Sequence, residues 1–166
     1  IERGVNSLGL VAKNIKTAAD MKALLQGINL EEVKINFFKS ENYLETLKLF
    51  VEEVKSQNID KEKVKGSIDF DAYAYALANG KFYEDLDKTY NTLVELINFV
   101  KENIPAFDVL SINGRAFNNA GASIVQELAY TLSAANDYLY NLTQKGIPAH
   151  SVGYRKVFAF ATGSNY

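Results

Sequence analysis

Between Asp108 and Leu142 the hydrophobic period changes once, and this constrains the fold more than any other feature of the chain. Asp108-Val-Leu-Ser-Ile-Asn113 is a short, mostly apolar run of the kind that forms a buried strand. Gly114 to Ala122 reads as a loop, because Gly114, Gly121 and the adjacent Asn118 and Asn119 accept the backbone angles of a tight connection. Ser123 is an N-cap, and Gln126 three residues later completes a capping-box pattern. Val125, Leu128, Leu132, Ala135, Leu139 and Leu142 then step by three and four, which predicts one buried helical face. Gly146 followed by Pro148 ends the helix. Strand, loop and helix in this order make up the repeating unit of parallel α/β proteins.

The same alternation runs through the rest of the chain. Leu8 to Ala12 reads as a buried strand, followed by a helix capped by Thr17, with Asp20 in its first turn, Met21, Leu24 and Leu25 on one face, and Gly27 at its end. Val33 to Phe38 is a second strand, and Leu44, Leu47, Val51 and Val54 mark a second helix. Val64 to Phe70 is a third strand with Gly66 inside it. Asp71 to Ala78 forms a short extra helix in an enlarged loop ending near Asn79-Gly80. Leu86, Tyr90, Leu93, Ile97 and Val100 give the third main helix, closed by Pro105, and Val157 to Ala161 is a fifth strand. Short apolar strands separated by amphipathic helices mean right-handed βαβ crossovers and a parallel sheet. The pattern fits an open doubly wound sheet and a barrel equally well.

Length and composition narrow the function classes. The 166 residues suit a single domain, and 48% apolar with 23% charged residues can fill a core. A formal charge of −2 offers no attraction to nucleic acid or an anionic membrane, and no apolar run reaches the ~18 residues of a membrane helix. Without Cys there is no disulfide framework or thiolate metal site. Ile1-Glu-Arg-Gly4 shows no signal peptide, and both ends read as a piece of a longer chain; a cytoplasmic location is expected.

In a parallel barrel the working groups sit at the C-terminal strand ends and in the loops that follow. Those positions offer Lys13 and Asn14, Lys39 and Ser40, Asp69 and Asp71, Asn113 and Arg115, and Thr162 with Ser164. Asp69 and Asp71, two apart on a strand, point the same way and can share a proton or a cation, or else cap the following segment. Arg115 can clamp a phosphate or carboxylate, reach a partner chain, or sit in solvent. His150, the sole His, lies in the polar loop after Pro148 and has no second ligand at metal-binding spacing. Gly114, Gly121 and Ala122 fit neither the dinucleotide fingerprint nor the P-loop. With no Cys and a single misplaced His, no catalytic triad can be built.

Ser111-Ile-Asn-Gly-Arg-Ala-Phe-Asn-Asn-Ala-Gly-Ala122, followed by Glu127-Leu-Ala-Tyr-Thr-Leu132 and Tyr138, resembles the signature loop and helix of methylmalonyl-CoA mutases. Catalytic members read roughly Ser-Ile-Ser-Gly-Tyr-His-Met-Gln-Glu-Ala-Gly-Ala there, then Glu-Leu-Ala-Tyr-Thr-Leu. The resemblance is collinear over nearly the whole chain and includes Val64-Lys-Gly-Ser-Ile-Asp69 and Phe160-Ala-Thr-Gly-Ser-Asn-Tyr166. It implies a (β/α)8 TIM barrel, with residues 1–166 forming its first five strands and four main helices. The family's Tyr and catalytic His fall on Arg115 and Ala116, its Gln on Asp69, and its substrate-carboxylate-binding Arg on Asn79. Those departures resemble the small, non-catalytic subunit of the heterodimeric enzymes. The resemblance then implies that this chain binds no cofactor and supports a catalytic large subunit, which uses adenosylcobalamin to interconvert methylmalonyl-CoA and succinyl-CoA. Two alternatives stay open: an active acyl-CoA mutase with displaced catalytic groups, and an unrelated small-molecule-binding barrel domain. Leu8 to Ala12 and Val157 to Ala161 are expected to be unpaired barrel edges, so the isolated chain is expected to self-associate.

Overall fold

The computed structural model describes residues 4–153 and 156–159. Five parallel strands follow one another across the sheet in chain order: β1 (Ser7–Val11), β2 (Lys34–Phe38), β3 (Gly66–Phe70), β4 (Phe107–Asn113) and β5 (Lys156–Ala159). A doubly wound sheet reverses its strand order at a switch point, whereas a βα-barrel lays each strand beside its predecessor. The observed order has no reversal, so the chain is a parallel α/β protein of the partial-barrel type.

The chain divides into two compact units, Ile1–Asp69 with Glu95–Val109, and Phe70–Val94 with Leu110–Tyr166. In the first, β1 pairs with β2 from Ser7↔Lys34 to Val11↔Phe38, and β2 pairs with β3 from Ile35↔Gly66 to Phe37↔Ile68. Helix α1 (Ala18–Leu25) opens on a full capping box between Thr17 and Asp20 and buries Met21 and Leu25. Helix α2 (Tyr43–Ser56) is capped by the Asn42 side chain and buries Leu47, Phe50, Val51 and Val54. Phe37, Phe50 and Phe107 form the centre of this core, with ring centroids 5.2 to 6.4 Å apart at tilted and edge-on angles, the arrangement aromatic quadrupoles favour. Gly66 is required where β3 meets β2: a Cβ there would lie 1.8 Å from the Ile35 carbonyl oxygen. The expectation of a buried first strand is corrected. Leu8 and Leu10 are half-buried while Ser7, Gly9 and Val11 are exposed, because β1 is an edge strand with a neighbour on one side only.

In the second unit Asp71 caps the short helix α3 (Ala72–Asn79), which Gly80 ends in the left-handed conformation. Helix α4 (Leu86–Asn103) begins here and continues into the first unit. After β4 the structure departs from the predicted loop: residues Gly114–Asn119 form a helix, α5. Helix α6 (Ile124–Gln144) starts on the predicted Ser123–Gln126 capping box, and Gly146, with φ 85°, follows its end. His150 lies not in a loop but on the short helix α7 (Ala149–Gly153), ahead of β5.

The buried face of α6 differs from the predicted stripe. Ala135 and Leu142 are buried as expected, but Val125, Leu128 and Leu132 are exposed. The face that packs is Glu127, Thr131, Ala134, Ala135, Tyr138 and Leu142. Polar groups can be buried here because each has a partner. Asn118 Nδ2 donates to Glu127 Oε2 at 3.0 Å, and Thr131 Oγ1 donates to the Glu127 carbonyl at 2.6 Å.

Candidate functional site

The strand-end residues divide between the two units. In the first, Lys13 and Asn14 are the exposed residues of the 3-10 turn Ala12–Asn14 that follows β1. Lys13 Nζ stands 3.8 Å from Glu41 at one wall of a cavity of about 260 Å³, which Lys16, Asn42, Glu45 and Thr46 also line. Lysines and glutamates alternate around it, so the cavity presents no field of one sign to a ligand. Lys39 is exposed and held at φ 54° directly after β2, an uncommon angle for a residue with a Cβ. Ser40 is buried, its hydroxyl 2.9 Å from that of Thr46. Asp69 is half-buried within β3.

The second unit holds Asp71, Asn79, Asn113, Arg115, Ala116 and His150. Asp71 is the capping residue of the alternatives weighed above. Its Oδ1 accepts the Tyr73 and Ala74 backbone N–H groups at 3.1 and 3.0 Å and the Tyr138 hydroxyl at 3.3 Å; its Oδ2 accepts the Asn113 N–H at 2.7 Å. Thus one carboxylate starts α3 and ties it to the end of β4. Its oxygens are taken up by protein donors, which removes the shared cation as a role for this carboxylate. Among the described residues no group of His, Asp or Glu could hold a metal ion.

Around Asp71 is an aromatic cluster that pattern reading missed. Tyr138 is fully buried and accepts the Ala72 N–H at 2.8 Å, with its ring edge-on to Tyr73 (5.2 Å) and Tyr90 (5.9 Å). The Tyr73 and Tyr90 hydroxyls both donate to Asp137 Oδ2, the latter at 2.6 Å, joining α3, α4 and α6. Burial holds all three hydroxyls protonated: with help from the Asp137 carboxylate it pushes Tyr73 up to about 12 and Tyr90 higher still, and with the Asp71 charge it raises Tyr138. Burial also raises Asp71 above the usual carboxylate value, outweighing the hydrogen bonds that pull it down. Protonated tyrosines bonded to carboxylates act as a clasp between helices. The sequence signal was Asp137-Tyr138, a charged residue beside an aromatic in the middle of an otherwise uncharged stretch of helix.

The remaining positions do not converge on this cluster. Asn79 is exposed, its side chain turned back to the Tyr75 carbonyl at 2.8 Å. Arg115 is exposed on α5 and has no carboxylate partner among the described residues; Ala116 beside it is half-buried and carries only a methyl group. His150 is exposed on α7. It is the one imidazole of the chain, and it belongs to no cluster of metal-ligating side chains among the described residues. Thr162 and Ser164 lie outside the described residues.

Comparison with known proteins covers almost the whole chain. The family model described as methylmalonyl-CoA mutase matches residues 2–166. A protein of Porphyromonas gingivalis named methylmalonyl-CoA mutase small subunit is 32% identical over 100% of this chain and 26% of its own length. The methylmalonyl-CoA mutase of Cereibacter sphaeroides is 26% identical over 99% of this chain and 23% of its own length, and the human mitochondrial protein 25% over 96% and 21%. The chain therefore spans about a quarter of the length of these relatives.

Proposed function

Because the chain belongs to the methylmalonyl-CoA mutase family, we propose that it is part of the non-catalytic small subunit of a heterodimeric, adenosylcobalamin-dependent mutase. Ala116 carries this reading: a methyl group occupies the position where the family resemblance puts the catalytic His, so no proton can be given to a substrate carbonyl from there. The neighbouring Arg115 replaces the family's Tyr and points its charge to solvent or to a partner chain. The hydroxyls of Tyr73, Tyr90 and Tyr138 are taken up by the Asp137 and Asp71 carboxylates. The similarity to a protein named small subunit agrees.

In this reading residues 1–166 form the first five βα units of the barrel domain, and the chain stabilises a catalytic large subunit in the cytoplasm. Adenosylcobalamin belongs to that partner, where it supplies the radical; the barrel excludes water and aligns the acyl-CoA. The test is an assay of the chain with methylmalonyl-CoA and adenosylcobalamin, alone and mixed with a catalytic large subunit of the family. Expected are no turnover above a heat-killed control for the chain alone, and co-elution with the large subunit on gel filtration. Turnover by the chain alone overturns the proposal.

A further inference from the structure

A cleft of about 690 Å³ lies in the first unit, between the C-terminal turns of α1 and α2. Its walls come from two helices that follow one another in the chain, and its volume is that of a small-molecule site. Glu53 and Lys22 both line it. Glu53 is 8% exposed and stands in the closing turn of α2, so burial and the negative end of the helix dipole both act against its charge. Its Oε1 accepts the Gln57 side-chain N–H at 2.7 Å, and its Oε2 accepts the Ser56 hydroxyl at 3.3 Å. Both donors are neutral, and a carboxylate has about four acceptor positions, so part of its capacity is unused. Among the described residues Glu53 pairs with no cation, and the exposed Lys22, in the last turn of α1, pairs with no carboxylate.

We propose that this cleft binds a small zwitterion, an amino acid with an uncharged side chain, whose ammonium group sits on Glu53 and whose carboxylate reaches Lys22. Charge selects the ligand. A buried carboxylate at the C-terminal end of its own helix is a local conflict, and such conflicts are expected where a site is built. An ammonium group resolves it: its three N–H donors take up the open acceptor positions, and its charge offsets both the carboxylate and the negative ends of α1 and α2. A bare amine would set a second cation in the cleft with Lys22, and a bare acid a second anion with Glu53. A zwitterion meets both charges. Its side chain has an apolar wall to lie against, made by Ala19, Ala23 and Ile28.

The experiment is an amide chemical-shift titration of the 166-residue chain by NMR with L-leucine, and with isopentylamine and isocaproate as its two singly charged halves. Leucine is expected to give a saturable shift centred on the amides of Lys22, Ser56 and Gln57, and either half to bind at least about tenfold more weakly. Glu53→Gln and Lys22→Met should each weaken leucine binding more than about tenfold, the loss of one charge-assisted contact. Lys22 is exposed, so Lys22→Met should fold as the wild type does, and Glu53→Gln, which removes a buried charge, should keep the circular dichroism spectrum. Absence of a saturable shift, isopentylamine binding as tightly as leucine, or leucine binding that survives either substitution would each overturn the proposal. So would a Glu53→Gln protein that fails to fold, since the carboxylate would then serve the fold and not a ligand.

Discussion

Asp71 is the residue on which most of the second unit's geometry turns. Its four hydrogen bonds start α3, fix the end of β4 and anchor Tyr138. In Asp71→Asn the amide keeps one acceptor oxygen but turns a donor toward the Asn113 N–H, so the variant is expected to lose about 1–3 kcal/mol. The pH dependence follows from the raised carboxyl. A group whose value is raised on folding stabilises fully below its ordinary value of 3.8, and that contribution is lost as pH rises through the folded-state value. Asn does not titrate. The deficit of Asp71→Asn, measured by urea unfolding, should therefore be largest at acid pH and shrink toward neutrality; a deficit that grows with pH would contradict this account. That Asp71 caps a helix was legible from its place before an Ala- and Tyr-rich run. Its bond to Asn113, 42 residues later, was not, because no local pattern reports a tertiary partner.

Among the elements, β3 and α6 make different demands. Gly66 sits where β3 presses on the Ile35 carbonyl, so Gly66→Ala forces backbone against backbone. It should cost about 3 kcal/mol or more and lower the thermal midpoint accordingly; a melt within a degree or so of wild type would show that the strands can shift apart. The start of α6 depends on the reciprocal bonds between Ser123 and Gln126. Ser123→Ala should cost about 1 kcal/mol in urea unfolding, and Ser123→Asp should recover most of it. The capping box was readable because it is a four-residue interaction. The face that α6 buries was not: two stripes compete on one helix, and the one containing Glu127, Thr131 and Tyr138 packs because α5, α3 and the β3–α3 junction supply partners for its polar groups.

For the whole molecule, the sequential strand order is what separates the two topologies the periodicity allowed. It also puts β1 at an edge, which explains why an apolar strand there is only half-buried. The chain is expected not to bind cobalamin, as its one imidazole is an exposed residue of the short helix α7 rather than part of a buried site. Mixing it with hydroxocobalamin should leave the visible spectrum unchanged; a shift that disappears in His150→Ala would refute this.

The amino-acid order by itself determined the alternation of strands and helices, the caps at Thr17, Ser123 and Asp71, and the short helix after β3, because each rests on contacts within a few residues. The family frame from Ser111 to Leu132 was equally local. Tertiary structure decided that Gly114–Asn119 coils into α5, that α6 turns its polar stripe inward and its leucines outward, and that Tyr73, Tyr90 and Asp137 meet. The physical reason is common to all three. Burial of a polar group is favourable only when a partner is in place, and these partners lie on other elements that the fold brings together.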